Sequence, residues 1–578
     1  MRPRISLGEA ASVATELRSW YLTSARNNPR TQIVNPRLCQ DILQRLAPSL
    51  ERHKGCTLLD INPGVCQWSE HLHDIVQPRR HILAEPKRET FAPFINPLLE
   101  KVGSRYEWTD KGLGSIIHDT KFFEEENLDQ KDQLTTSNPN ILVTINLSDN
   151  VLNPKGGLTV RAHTYFINNL YASLFTLRND LFRHGLFRVL AWLPDEDKHL
   201  FVPRTVEQRS KQSLQLDTTC SVTEVASLSS TAEDENPRHQ RIYDLSIEDL
   251  RTVRKKDRAA GIFVPSHHPD TDPLPPAVHL HPSVESYKSI DHLERHAYQD
   301  ELMSLDDQVK REFPEVYEAY APGWLSVDKR IPRSHSNEPL IKQWKLLYVR
   351  ARTLHKTYLL KTSIAKEQRD IEAQWRAAQE GGDEEALKGL KHRAEKNLAA
   401  VKKQKATNQQ WVRKAIDDYR AYDMQAFSWY RRPYNPLVTS TSHFARSKGD
   451  FAKQKALALV DIEPDPNFRK TFDTDTRWRI FDYVITRLSV AWTRDVYTAL
   501  QHIIPAGVDE FIEMVPSLKD PRRGGWHDLR ELRMRSLPAE IWVDIALAYH
   551  EWPFRLTEKE LWNEHDKVRS LSDPVLLK

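Results

Sequence analysis

The stretch "LLDINPGVCQWSEHLHDIVQPRRHILAEPKRETF", Leu58 to Phe91, decides the fold. It runs from an apolar segment through a tight turn and an amphipathic pattern to a second apolar segment that ends in Glu85. That reads as strand, turn, helix and strand, the unit that opens a parallel sheet built for nucleotide-like ligands. In such a turn, glycines let the backbone approach a ligand and aim N–H groups at it. Here Asn62-Pro63-Gly64-Val65-Cys66 offers only Gly64. Cys66 resists positive φ because it carries a Cβ, and Asn62 fills space that a first glycine would leave open.

Outward from this unit, "SRYEWT" reads as the third strand, "NILVTINL" as the fourth and "LFRVLAWLP" as the fifth. Between the last two, Phe166, Leu170, Leu174, Leu177 and Leu181 recur at helical spacing. Strands alternating with helices imply an open, mostly parallel α/β sheet with right-handed crossovers. "SLQLDTTCSVTEVAS", Ser213 to Ser227, alternates like a strand throughout. From there to Pro339, acidic, proline-rich and histidine-containing stretches read as a partly disordered linker.

Trp344, Leu347, Tyr348, Ala351, Leu354 and Tyr358 then form one helical stripe, and "EGGDE" forms a turn. Leu387, Leu390, Ala394, Leu398, Val401, Trp411, Ala415 and Tyr419 form the returning stripe. This predicts an antiparallel helical hairpin turning at Gly381-Gly382. "WYRRPYNPLV" and "ALALVDIEP" return to the sheet, and the tail from Phe468 is helical. The expected architecture is an open, mostly parallel Rossmann-type α/β sheet with a long helical-hairpin insertion and a small C-terminal helical domain. Its segments are 1–30, an N-terminal helix or mitochondrial import segment; 31–226, the α/β domain; 227–339, the linker; 340–428, the hairpin; 429–465, the return to the sheet; and 466–578, the helical domain.

A chain of 578 residues is too long for one core, and two to four domains are expected at about 150 residues each. Cys39, Cys56, Cys66 and Cys220 are scattered without ligand spacing, which fits a reducing compartment and excludes a zinc module of the Cys-rich kind. His267, His268, His279 and His281 have no Cys or carboxylate at ligand spacing and read as loop histidines, so no metal is expected. No apolar run approaches the roughly 20 residues that span a bilayer, and membrane insertion is not expected. The formal net charge is +3. It hides a local excess between Lys391 and Lys414, where eight Lys or Arg stand with the single acid Glu395. That is the charge pattern of a polyanion-facing surface, or of a solvated helix face.

The candidate site lies at the ends of the strands. Asp60 and Gly64 flank the first turn, Glu85 can accept bonds from ribose hydroxyls, and Asp110 follows the third strand where an adenine amine would lie. Methylation of an exocyclic adenine nitrogen needs acceptors at the fourth strand's end and an aromatic face for the flipped base. This chain has Asn146-Leu147-Ser148-Asp149, which keeps the Asn and lacks the proline and the aromatic.

"LLDINPGV", "LAEPKR" and "TINLSDN" together resemble the rRNA adenine dimethyltransferase family. With "NPRLCQDILQRL", "LFRHGLFRVLAWLP…RTVEQRSKQS" and "WYRRPYNPLV", the chain is most similar to that family's divergent branch, the fungal mitochondrial transcription factor 1 proteins. The resemblance covers about 30–226 and 428–465, and more loosely the C-terminal helices, and implies a methyltransferase-like α/β domain followed by a helical domain. It implies a matrix protein that joins the mitochondrial RNA polymerase and helps melt promoter DNA, with no catalytic residue and no required cofactor. S-adenosylmethionine is then expected to bind weakly or not at all, at Asp60, Gly64, Glu85, Asp110 and the vestigial Asn146. Nucleic acid would meet Arg204, Arg209, Lys211, Arg431, Arg432, Tyr434, Arg522 and Arg523. Two alternatives stand beside this reading: an active rRNA adenine-N6 methyltransferase, and an RNA-binding structural protein of the mitochondrial ribosome.

Overall fold

The computed structural model describes residues 30–563, apart from 118–120, 127–134, 153–158, 175–181, 229–241, 266, 269–296, 321–334, 336 and 446–455. The 1–29 portion of the import or helix expectation lies outside the described residues, as do Leu177, Leu181, His279 and His281. The described part forms two compact units. The first comprises the chain up to His239, Arg251–Asp270 and Asp423 onward; the second comprises Gln240–Leu250 and Thr271–Tyr422.

In the first unit, a short strand β1 (Gln32–Ile33) leads into helix α1 (Pro36–Leu50), whose N-terminus is capped by the Asn35 side chain on the Leu38 N–H. Then come β2 (Thr57–Ile61), α2 (Gln67–Val76), β3 (Arg80–Ala84), α3 (Arg88–Leu99), β4 (Tyr106–Thr109) and β5 (Ser137–Asn146). These are followed by α4 (Ala162–Ser173), β6 (Leu186–Pro194), α5 (Lys211–Thr219) and β7 (Cys220–Leu228). After the second unit the chain adds β8 (Leu437–Thr439), β9 (Phe444–Ala445) and β10 (Leu457–Pro464).

Eight strands form one sheet in the order β8-β7-β10-β6-β5-β2-β3-β4. All neighbours are parallel except β10, which runs antiparallel to both β6 and β7. A parallel sheet with one antiparallel strand, β10, slotted between β6 and β7 is a Rossmann-type, methyltransferase-like arrangement. β2 to β4 step one way and β5 to β6 step the other, so the crevice at the switch point opens at the C-terminal ends of β2 and β5. β1 pairs antiparallel with β9 outside this sheet.

The strand pattern was legible because β2, β5, β6 and β10 bury both faces and therefore read as continuous apolar runs. Polar exceptions inside are paired. Arg188 on β6 holds Asp461 on the neighbouring β10 through two bonds of 2.8 and 2.6 Å, and also reaches Ser49 at the end of α1. One expectation is corrected: Ser213–Thr219 is helix, within α5, and the strand begins only at Cys220. Ser210 and Ser213 form a reciprocal cap at its start, and that local bonding overrides the apparent alternation.

The second unit is helical, and the segment expected as linker contributes α6 (Tyr243–Ala259), which runs on into the first unit, and α7 (Ala297–Glu312). α8 (Pro339–Gly381) is 43 residues long and ends at Gly382, which takes the left-handed conformation at the expected turn. Asp383 caps the return helix α9 (Glu384–Lys402). The return leg differs from expectation in being two helices, since α9 stops and α10 (Ala406–Asp423) restarts. Leu390, Ala394, Val401, Ala415 and Tyr419 of the returning stripe are buried.

The C-terminal part of the first unit is built on α11 (Asp475–Ser489) and α12 (Ala539–Glu551), whose apolar faces bury Trp478, Phe481, Ile485, Trp542, Ile545 and Tyr549.

Candidate functional site: a strand-end crevice held by the chain itself

The turn after β2 keeps the backbone shape of a ligand-binding turn without its glycines. Asn62, Gly64 and Cys66 all have positive φ, at 63°, 59° and 57°. This corrects the expectation that Cys66 would refuse that conformation. Cys66 adopts it fully buried at the start of α2, and burial first, with Asp60, Glu85 and Glu70, drives its thiol well above the ordinary range. Asn is among the few side chains that visit the left-handed region readily. Its Nδ2 donates to the Asn146 carbonyl oxygen at 3.1 Å, tying the two sides of the crevice together.

What a ligand would use is taken by residues 30–32. Arg30 and Glu85 form a buried ion pair at 2.8 Å, with side chains 2% and 0% exposed. The other Glu85 oxygen accepts from the Gly64 N–H at 3.1 Å, and Oε1 also accepts from the Lys87 N–H at 3.0 Å. The Val65 N–H points at Gln32 Oε1, 3.4 Å away, and a Cβ added at Gly64 would lie 1.8 Å from that same oxygen. The acid and the N–H groups are thus engaged by the chain's own side chains.

Asn146 is engaged too. Its Nδ2 donates to the Thr31 carbonyl at 2.9 Å, and its Oδ1 accepts from the Ser148 N–H and hydroxyl at 3.1 and 2.7 Å. Ser148, standing where the resemblance would place a turn proline, also accepts the Thr31 N–H at 3.1 Å. Lys87 and Asp149 pair at 3.0 Å. Residues 30–32 therefore form a strap across the crevice, and in this arrangement the pocket does not fit S-adenosylmethionine, because Glu85 and the turn N–H groups already have partners.

The remaining predicted site residues separate. Asp60 is buried on β2 with Oδ2 3.7 Å from His81 Nε2. Asp110 is exposed after β4. Sequence reasoning missed Arg30, Gln32 and Ser148. Arg30 and Gln32 belong to a polar stretch ahead of the first periodic segment, and nothing in their spacing signals that they fold back.

Of the predicted nucleic-acid residues, Arg209 is fully buried, donating to the carbonyls of Arg535, Leu537 and Ala426. Burial lowers its pKa to about 10, so it stays protonated at neutral pH. Arg204 and Arg432 both stack on Trp429, at 4.6 and 3.5 Å from the ring centre, and Arg432 is buried. These three guanidiniums serve the interior. Lys211 and Tyr434 are half-buried. Arg431 pairs with Glu540 at 3.5 Å and Arg523 with Asp544 at 2.8 Å, one helical turn apart on α12, so the two cations lie along one helix. Arg522 beside them is half exposed and paired to Asp520.

Fold and crevice define a methyltransferase-like α/β protein whose strand-end crevice is closed by its own N-terminal strap. No protein-family model matches the sequence, and no curated protein matches it. Among solved structures, a dimethyladenosine transferase from Plasmodium falciparum is similar over 49% of this chain and 89% of that chain, with 8% identity and a TM-score of 0.23. No helix among the described residues is long and apolar enough to cross a membrane.

Proposed function

We propose that this protein is a non-catalytic nucleic-acid-binding factor on a methyltransferase-like fold, acting in the mitochondrial matrix as the partner that gives the organellar RNA polymerase promoter-specific initiation. The observation that carries the loss of catalysis is the strap: Arg30 on Glu85, Gln32 at the turn N–H and Thr31 on Asn146. The promoter role rests on the ordered resemblance of the strand-end motifs and "WYRRPYNPLV" to the fungal transcription branch. Melting a promoter requires cations for phosphates and surfaces for unpaired bases, and no reacting group. Arg431, Arg522 and Arg523 around α12, with Lys211 and Tyr434, are the residues assigned to it.

The second reading, an S-adenosylmethionine-dependent rRNA adenine-N6 methyltransferase, is favoured by the retained left-handed turn and by Glu85 and Asn146 at the ends of their strands. It requires the strap to leave. Calorimetry of the full chain with S-adenosylmethionine, and methyl transfer to small-subunit rRNA, separate the two. The first reading expects no saturable binding and no incorporation. It also expects Arg522→Glu/Arg523→Glu to weaken bubble-DNA binding and lower the salt slope by about 0.7–0.9 per lost phosphate contact. Micromolar cofactor affinity with rRNA methylation abolished by Asn146→Ala overturns it.

A further inference from the structure

The loop after α6 returns to the surface of α1 and places two adjacent imidazoles on one carboxylate. His267 Nε2 and His268 Nε2 lie 2.7 and 2.8 Å from the same oxygen, Oδ2 of Asp41, and the three donor atoms all fall within 4.8 Å of one another. His268 is buried, Asp41 is mostly so, and the His267 side chain is 29% exposed, which leaves a path from solvent to the cluster. All three residues lie in the first unit. The carboxylate that His267 and His268 lack at ligand spacing in the sequence comes from 226 residues away.

We infer that Asp41, His267 and His268 form a binding site for a divalent transition-metal cation, Zn²⁺ foremost. Two imidazole nitrogens and one carboxylate oxygen are a borderline-soft donor set that suits zinc, and three protein ligands leave the fourth tetrahedral position to water. Donor atoms on a zinc with bonds of about 2.0–2.1 Å stand roughly 3.3 Å apart, so the two short contacts must open by about half an ångström. Without metal, both Nε2–H groups donate to one oxygen. With metal, each ring turns its Nε2 lone pair inward and carries its proton on Nδ1. His443, whose ring centre is 6.3 Å from that of His268, is not the fourth ligand, because its Nδ1 accepts the Ser440 N–H and its proton therefore sits on Nε2. The cation would pin the loop that follows α6 onto α1.

The test uses the untagged full chain with zinc alone, in competition with a chromophoric chelator, and cobalt(II) as a spectroscopic substitute. The expected result is one site of micromolar affinity or tighter, a zinc-dependent rise in Tm, and visible cobalt bands of a four-coordinate nitrogen and oxygen site. H267Q, at a half-open position that the fold does not depend on, should weaken zinc at least tenfold. D41N/H268Q should remove the cobalt bands. Zinc affinity equal in the full chain and in both variants places any bound metal elsewhere and overturns the inference. Failure of the full chain to bind one equivalent below about 100 μM leaves the cluster as a hydrogen-bonded His–Asp–His group and also overturns it.

Discussion

Gly64 sits where the strap and the turn come closest. Its φ of +59° already disfavours a side chain, and a Cβ there would meet Gln32 Oε1 at 1.8 Å. Gly64→Ala is therefore expected to destabilise the first unit by about 3 kcal/mol, 1–2 from the left-handed backbone and the rest from overpacking. In a Gln32→Ala background the cost should fall to the backbone contribution alone. Chemical denaturation of the four proteins of that cycle measures this, and additivity would show that Gln32 does not lie against Gly64. A second single-residue effect comes from His53. Burial lowers its pKa to about 4, opposed by the bond between Nδ1 and the Pro139 carbonyl and aided by Arg188 and Arg52. Between about pH 6.5 and pH 4 the unfolded chain binds a proton at this residue and the folded chain does not, so stability falls on acidification through that window. His53→Gln should flatten the dependence by up to about 1.4 kcal/mol per pH unit, read from denaturation midpoints at pH 4, 5, 6 and 7. Single residues were the least legible level of the sequence: Glu85 and Asn146 announced themselves by ending strands, whereas Arg30 and Gln32 gain their roles only through the fold that brings them back.

Elements were legible where burial forces a pattern. β5 and β6 show themselves as apolar runs, and α8 with its return leg shows a stripe of large apolar residues. The break between α9 and α10 has no glycine or proline to mark it, and α5 hid behind an alternation that its serine cap overrules. The helical unit also contains a buried polar chain that periodicity cannot reveal. Asn397 donates to the Ile364 carbonyl at 3.2 Å and to Gln368 Oε1 at 3.1 Å, Gln368 donates to Glu372, and Glu372 receives Arg420. The chain fixes α9 and α10 against one stretch of α8. Arg420→Ala leaves the Glu372 charge buried without its guanidinium and should cost about 3–5 kcal/mol, whereas Arg420→Met with Glu372→Leu should cost far less. Thermal unfolding of the two variants decides this: an equal loss in both would mean that the packing of Arg420, and not its charge, holds the helices.

At the scale of the molecule, the sequence is interrupted where the sheet is not. β7 ends at Leu228 and β10 begins at Leu457, yet the two strands lie side by side and antiparallel from Cys220↔Pro464 to Ala226↔Leu459. Their pairing, with Arg188 on Asp461 and β8 on the far side of β7, is complete within the first unit. The residues between Thr271 and Tyr422 bury their own apolar side chains. Leu302, Val309, Val316 and Trp344 form one cluster, and Ala365, Ala415 and Tyr419 form another with Ile242, just ahead of α6, and Leu245 of α6. A sheet whose hydrogen bonds and core do not draw on an insertion tolerates losing it, because lengthening or shortening a connection changes loop entropy only slowly. Replacing Thr271–Tyr422 with a flexible linker is therefore expected to leave a soluble protein that unfolds cooperatively and keeps its near-ultraviolet circular dichroism from Trp68 and Trp192, which meet edge to face in the core. α6 should lose order at its start, where Ile242 and Leu245 would be stripped of their partners. Hydrogen exchange locates that loss: protection persisting in β5, β6 and β10 with fast exchange confined to 242–250 is the expected map, and fast exchange across the sheet would mean that the helical unit is part of what folds it.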